Sequence, residues 1–420
     1  MIVHSELWGR PGLDCGGFCR FCFYKNVDFN RLQPTGCVNC PPDQIGCQHC
    51  QEFVNRIKND FKPLPDFYFD FKKKLWQMEL WGLLDHDDPE IVVTSGADIF
   101  FYPHLFQLIS IIKEDNYHLH FSYTSGKAIK NGMAEKLISQ GVDEVSFSVF
   151  STEPELRRKW MNDRSPEQSI NGLKLFCENI DLNASAVVIP GVNDEEQIFN
   201  TCTDLENWGV KSFSLRRFAN FKNQGLIFNK ERIMNEVETQ SYLNFQELVR
   251  KVSDEFSFKV LSFPFYDNKK DFPFAISKNK NKSYLKELPP VKSEATILTS
   301  KLAGAFIKKI FSKIDDKNLV NIISLDKEVA DLITKEDLEA VDPSQLKQKI
   351  IIPRGALVHD KQAEKTLSRD GTSRKILRGP KLLTHPYYES IEFSQTELIN
   401  YELRSFKELI EVINQSIEII

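Results

Sequence analysis

The stretch Cys15-Gly16-Gly17-Phe18-Cys19-Arg20-Phe21-Cys22 places three cysteines at C-x3-C-x2-C spacing on a glycine-rich loop bounded by aromatic residues. Three thiolates so spaced suit three irons of a cubic 4Fe-4S cluster, and the missing fourth cysteine leaves one iron open to a substrate. Gly16 and Gly17 let the backbone turn tightly around a bulky cluster, and Phe18, Phe21 and Phe23 are expected to wall it from water. Half a zinc site is disfavoured, because no fourth cysteine stands at zinc spacing within this loop.

A second cysteine cluster follows. Cys37-Val38-Asn39-Cys40 and Cys47-Gln48-His49-Cys50 are two C-x2-C pairs separated by a short loop containing Pro and Gly. Paired C-x2-C turns build closed tetrahedral sites in which backbone amides can bond to sulfur, and both zinc and mononuclear iron fit. His49 is an alternative ligand, read as a neighbour because four thiolates already suffice. Seven of the nine cysteines fall between Cys15 and Cys50, a crowding that points to metal and a reducing compartment rather than to a disulfide framework. Cys177 and Cys202, alone on expected helices, read as small buried hydrophobes.

With 420 residues, the chain has room for a large domain and a smaller one, and its net charge of -5 lacks the basic stripe of a nucleic-acid binder. No apolar run reaches membrane-spanning length and the amino terminus lacks a signal-peptide layout, so a cytoplasmic protein with no membrane partner is expected.

After an apolar strand at Met1 to Leu7, strands are expected at Ile91 to Thr94, His118 to Thr124, Glu144 to Ser151, Asn183 to Pro190, Ser212 to Phe218 and Phe258 to Phe263. Helical patterns intervene, including Met133 to Gln140, Pro166 to Ile180 capped by Ser165, Glu195 to Trp208 and Glu231 to Glu255. Such alternation means βαβ units, a parallel sheet and an α/β partial (β/α)6 barrel over residues 1–267 that includes the metal loop 37–50. Function in such barrels sits at the carboxyl ends of strands. Those ends read Ser95-Gly96-Ala97-Asp98, Tyr123-Thr124-Ser125-Gly126-Lys127, Ser146 and Ser148, Ile189-Pro190-Gly191-Val192-Asn193, and Arg216-Arg217. Residues 268–294, rich in Lys, Asn, Ser and Pro, read as a linker, and 295–420 as a smaller α+β domain.

The three-cysteine loop, with Phe21 before its last cysteine, resembles that of the radical S-adenosylmethionine (SAM) enzymes. This implies SAM on the open iron and its cleavage to a 5'-deoxyadenosyl radical. By the same resemblance Ser95, Gly96 and Asp98 occupy the place of the Gly-Gly-Glu motif that receives the methionine amino group. Ser146 or Ser148 falls at the ribose contact, Ile189 to Asn193 at the adenine contact, and Arg216 belongs to the same cofactor rim.

Both cysteine loops, the Tyr123 to Lys127 segment and the cysteine-free carboxyl-terminal part together resemble the methanogenesis marker protein 10 family. That resemblance implies a cobalamin-dependent methyltransferase acting on the δ-carbon (C5) of an arginine in the methyl-coenzyme M reductase α subunit, served by an unidentified electron donor. It also implies mononuclear iron on Cys37, Cys40, Cys47 and Cys50, and Tyr123 as a removable ligand of the open iron. Cobalamin would be capped by the carboxyl-terminal domain, with Leu332 beneath the cobalt. The alternatives are a radical SAM peptide maturase without cobalamin, disfavoured because no cysteine follows Cys202, and a non-catalytic metal-binding scaffold.

Overall fold

The computed structural model describes residues 1–31, 34–41, 43–83, 89–220, 232–267, 269–383 and 393–416. Seven strands, β1 Ile2–Glu6, β2 Glu90–Thr94, β3 His118–Thr124, β4 Glu144–Ser148, β5 Asp181–Val188, β6 Ser212–Arg217 and β7 Lys259–Phe263, form one sheet in chain order. Every neighbouring pair is parallel. This is the expected α/β partial barrel: each of the seven expected stretches supplies one strand, one more than a (β/α)6 count.

The alternation of side chains gives the sheet two chemically different faces. In β3, Leu119 and Phe121 are fully buried whereas His118, His120 and Ser122 are half-buried. Helices α3 Leu105–Lys113, α4 Met133–Ser139, α6 Pro166–Asn179 and α7 Glu195–Trp208 connect successive strands, and each buries an apolar stripe such as Leu105, Leu108, Ile109 and Ile112. The first strands are separated by α1 Gln48–Lys58 and α2 Leu64–Leu80, and α5 Pro154–Met161 precedes α6. Ser165 holds the cap position of α6 without a side-chain hydrogen bond. The helix expected from Glu231 is shorter: Glu231 lies outside the described residues, and α8 is Tyr242–Glu255, where Ser241 accepts the amide hydrogen of Asn244.

Two units divide the chain. Met1–Leu32, Glu52–Phe221 and Arg232–Phe263 make the barrel unit, while Gln33–Gln51 belongs with the unit that starts at Pro264. The four-cysteine loop is thus grouped differently from the sequence expectation, because its partners, described below, come from residues beyond 350.

The second unit has a four-stranded sheet, β8 Ala295–Thr299, β9 Val320–Ser324, β10 Lys349–Ile352 and β11 Lys375–Arg378, in the order β11-β10-β8-β9. All its pairs are parallel, so this unit is α/β in its own right rather than α+β. Helices α9 Lys301–Ile314, α10 Lys335–Glu339 and α11 Asp360–Leu367 supply the crossovers, and α12 Gln395–Asn414 ends the described chain. Residue 268 lies outside the described residues. The rest of the expected linker is ordered: Phe272, Phe274, Ala275 and Ile276 are buried and Asn279–Glu287 is a 3-10 helix. Glu402 of α12, itself fully buried, accepts the amide hydrogens of Ala275 and Ile276, each at 2.9 Å. No described helix is long and apolar enough to cross a membrane.

Candidate active site

The three-cysteine loop leaves β1 and folds back on itself. Gly12 N–H donates to Cys15 Sγ at 3.4 Å, and the Gly12 carbonyl accepts from Gly17 N–H at 2.9 Å. Gly16 and Gly17 have φ of 67° and 112°. A Cβ on Gly16 would stand 2.5 Å from the Phe101 ring and one on Gly17 2.4 Å from the Asn162 side chain, so both positions need glycine for conformation and for space. Cys15 and Cys19 are buried and Cys22 half-buried. Burial pushes their thiols up, Cys15 to about 11 and Cys22 to about 12, with Cys19 raised in the same sense. Sulfur held this way ionises only against a strong local cation, which is what iron supplies.

The surroundings come from distant parts of the chain. Arg20 N–H donates to the Trp160 carbonyl at 2.8 Å and Cys19 Sγ to the Met161 carbonyl at 3.6 Å, so the last turn of α5 covers the loop. Lys127 Nζ donates to the carbonyls of Gly17 and Met161, and its charge favours the ionised form of all three cysteines. Phe21 stacks on Phe150 with ring centroids 4.9 Å apart. Phe23, expected as a third wall, is exposed, and Phe101 and Phe150 provide the apolar contact instead.

Tyr123 stands at the carboxyl end of β3. Burial raises its hydroxyl well above the ordinary phenol value of 10, and negative charge on Cys15, Cys19, Asp98 and Cys22 adds to the effect. The Tyr123 hydroxyl is thus within the electrostatic influence of the three thiols.

Asp98 sits in the same neighbourhood in a different role. Its carboxylate is fully buried and accepts from Thr124 Oγ1 at 2.8 Å, Ser125 N–H at 2.9 Å, Ser125 Oγ, and Phe100 N–H at 3.1 Å. Both oxygens are engaged, so Asp98 holds the strand end next to Tyr123 instead of facing the rim as a receptor for an amino group. Ser95 is similarly committed: its hydroxyl donates to the Trp8 carbonyl and accepts from Ala97 N–H at 3.0 Å. Gly96 lacks a side chain where a Cβ would lie 2.5 Å from the Gly9 carbonyl oxygen.

Arg157 of α5 locks these strand ends together. It donates to the carbonyls of Ser125 and Val149, each at 2.6 Å, and to Asp163 Oδ2 at 2.9 and 3.0 Å, and both side chains are wholly buried.

The remaining expected cofactor residues divide. Ser146 Oγ is 2.9 Å from His120 Nε2 and belongs to a polar network lower in the sheet, whereas Ser148, two residues further along the same face, is half-buried at the strand end. Ile189 is buried against Cys19, Phe21 and Phe150. Asn193 shapes its turn: Oδ1 accepts from Ile189 N–H at 2.8 Å and Nδ2 donates to the Phe150 and Val187 carbonyls, each at 2.9 Å. Those bonds commit the Asn193 amide to the turn. Arg216 is exposed near the end of β6. Beside this rim a cavity of about 470 Å³ is lined in part by Trp160, Pro190, Val192, Met234 and Glu236.

Residues 11–202, which contain the three cysteines and the carboxyl ends of β2 to β5, match the family model of the radical SAM superfamily. They form a radical SAM domain. Solved structures similar to this chain include SuiB of Streptococcus suis, with 16% identity, a TM-score of 0.40, and coverage of 65% of this chain and 53% of that one. A second SuiB structure, bound to the precursor peptide SuiA, has 17% identity and a TM-score of 0.39 and covers 62% and 48%. A radical SAM methyltransferase from Sphaerobacter thermophilus has 13% identity and a TM-score of 0.35 and covers 62% and 64%. The chain spans about half the length of the SuiB chains. No curated protein matches it.

Of the contacts that complete the radical SAM domain around its cysteines, Lys127 belongs to a strand end read from the sequence, whereas Arg157, Asp163 and the 160–162 turn were not signalled by any sequence motif. Gly16 and Gly17, read from the sequence as room for the cluster, also make room for Phe101 and Asn162. The four-cysteine loop, which groups with the second unit, is built as its sequence suggests. Cys37 N–H donates to Cys40 Sγ at 3.3 Å, Asn39 N–H to Cys37 Sγ at 3.4 Å and Gly46 N–H to Cys40 Sγ at 3.4 Å. Cys37 and Cys50 are both raised, first by burial and then by charge on other cysteines of the loop. Amides aimed at sulfur and mutually repelling thiolates fit a divalent metal. The loop is moored within its own unit: His359 Nε2 is 3.0 Å from the Pro41 carbonyl oxygen, Lys361 pairs with Asp43, and Gly36 packs on the His359 backbone. Leu332 lies on a short 3-10 helix, Ala330–Leu332, half-buried.

Proposed function

We propose that this radical SAM enzyme is a cobalamin-dependent methyltransferase for the δ-carbon of an arginine in the methyl-coenzyme M reductase α subunit. The observation that supports it most is Tyr123, which stands within the electrostatic reach of Cys15, Cys19 and Cys22, where the methanogenesis marker protein 10 resemblance expects a ligand for the open iron. A four-cysteine loop in the same chain, with backbone amides aimed at the sulfurs of Cys37 and Cys40, agrees with that reading.

In this reading Cys15, Cys19 and Cys22 hold the 4Fe-4S cluster, and Cys37, Cys40, Cys47 and Cys50 hold iron or zinc. Ser148, the 189–193 backbone and Arg216 contact SAM. Residues 295–420 cap cobalamin, with Leu332 on its cobalt side. When bound, these groups supply a carbon radical that removes hydrogen from an unactivated carbon, and a methyl group to replace it. The chain's own part is positional. Lys127 and α5 pin the cysteine loop, Arg157 and Asp98 fix the strand ends, and the Phe21–Phe150 stack keeps water from the sulfurs.

The test uses protein prepared without oxygen, with SAM, cobalamin, a chemical reductant in place of the electron donor, and a peptide carrying the α-subunit arginine. Addition of one methyl mass at the arginine δ-carbon is the expected product. Loss of hydrogen with a new cross-link would instead indicate a peptide maturase, and absence of 5'-deoxyadenosine would sink both.

A further inference from the structure

At the opposite ends of the same strands lies a second group of ligating side chains that the radical chemistry does not use. Glu90 opens β2, His118 opens β3 and Glu144 opens β4, with His120 two residues along from His118. The register pairs Glu90 with His118 and His120 with Glu144. Laterally paired residues of parallel strands, and residues two apart in one strand, share a face, so all four side chains converge on the polar face of the sheet. One ligand atom each from Glu90, His118 and Glu144 lies within 4.8 Å of the other two. His120 Nδ1 is 3.2 Å from Glu90 Oε1 and 3.7 Å from Glu144 Oε1, and His118 Nε2 is 3.8 Å from Glu144 Oε2. Tyr123 is five residues further along β3, roughly 16 Å away at strand spacing.

We propose that Glu90, His118 and Glu144 bind a divalent transition-metal cation of the zinc class at the amino-terminal ends of β2, β3 and β4, with His120 as a fourth donor. Two imidazoles and two carboxylates are the donors such an ion takes, at about 2.0–2.2 Å each. Tetrahedral donors at that range stand about 3.4 Å apart, close to the separations found here. Glu144 is about one-tenth exposed, and two carboxylates brought together there repel unless a cation lies between them. Lys211 now meets part of that need. Its ammonium is shared between Glu144 at 3.3 Å and Asp181 at 2.7 Å on a half-exposed side chain, so it can withdraw to Asp181 when a metal arrives. The opening is wide enough for entry, since the His118 side chain is 40% exposed. The ion would tie three strand starts together, a structural task that does not depend on which substrate the opposite rim receives.

The experiment is a titration of the full-length protein, with its cysteine sites already loaded with iron, by zinc chloride under a competing chelator. One additional zinc is expected, with an X-ray absorption spectrum showing nitrogen and oxygen ligands and no sulfur. Glu144→Gln and His118→Asn should each weaken its binding at least tenfold, and Lys211→Met, which removes the competing ammonium, should strengthen it. His118→Asn changes a surface-accessible side chain and keeps the test open if Glu144→Gln does not fold. Absence of an additional zinc, a sulfur shell around it, or unchanged affinity in His118→Asn would overturn the proposal.

Discussion

Lys127 Nζ lies 2.7 Å from the carbonyl oxygen of Gly17, a residue 110 positions earlier in the chain. One ammonium thereby clamps the three-cysteine loop and places positive charge beside its sulfurs. Lys127→Met removes both. A unit charge at cluster distance in a partly buried site is worth on the order of 2 kcal/mol, so the midpoint potential of the reconstituted cluster should fall by roughly 100 mV. A redox titration followed by electron paramagnetic resonance would read it, and an unchanged potential in a fully loaded variant would show that the charge is screened.

Arg157 and Asp163 form an ion pair with no exposed surface, and Arg157 also satisfies two strand-end carbonyls. Removing one partner strands the other charge. Arg157→Met or Asp163→Asn should each destabilise the barrel unit by about 3–5 kcal/mol, and the Arg157→Met/Asp163→Leu pair should cost less than the two single changes added together. Urea unfolding of the iron-free chain would measure all three variants.

Tyr123→Phe retains the three cysteines and should retain the cluster. If the phenol caps the open iron, the SAM-free electronic spectrum changes, and the ratio of methylated cobalamin to 5'-deoxyadenosine shifts toward the radical product. Identical spectra together with an identical ratio would reduce Tyr123 to a packing residue.

Burial pushes the Glu402 carboxyl up from 4.5 to about 7, although two backbone amides donate to it. Between those values the folded chain holds a proton that the unfolded chain has released. The stabilising contribution of this group is therefore complete below pH 4.5 and lost as pH rises through 7, a change of about 3 kcal/mol. Glu402→Gln should flatten that slope in denaturation curves of the full chain collected from pH 5 to 8, and an unaltered slope would assign it to other groups.

What could be read from the sequence was what is encoded locally. Cysteine spacing and the alternation of apolar runs depend on neighbours within a few residues, and they gave the cluster loop, the four-sulfur loop and the parallel sheet. Asp98 and Asn193 stand just past strand ends and Ser146 in mid-strand, and the roles of all three depend on partners 26 to 43 residues away, Thr124, His120 and Phe150 among them. A polar strand-end residue looks the same in sequence whether it faces a ligand or braces a turn. Residues 269–294 misled for a related reason. Their Lys, Asn and Ser side chains resemble those of a linker, while Phe272, Phe274 and Ile276 keep the two-residue period of a strand over too short a run to be read as one, and they become buried where Glu402 of α12 accepts the amides of Ala275 and Ile276.

The mooring of Pro41 and Asp43 to His359 and Lys361 also imposes an order on biosynthesis. The four cysteines leave the ribosome early, yet the residues that receive their loop are made about 310 positions later. At ribosomal speeds of about 5–20 residues per second, that is an interval of roughly 15–60 s. For that time the nascent loop is an undocked set of four thiols, so its metal must be captured while the barrel is being made or else wait for the last quarter of the chain. Nascent chains halted before Gly355 should accordingly react faster with a thiol alkylator at Cys37 and Cys50 than finished chains do, and equal reactivity would mean that the loop closes on its metal without its mooring.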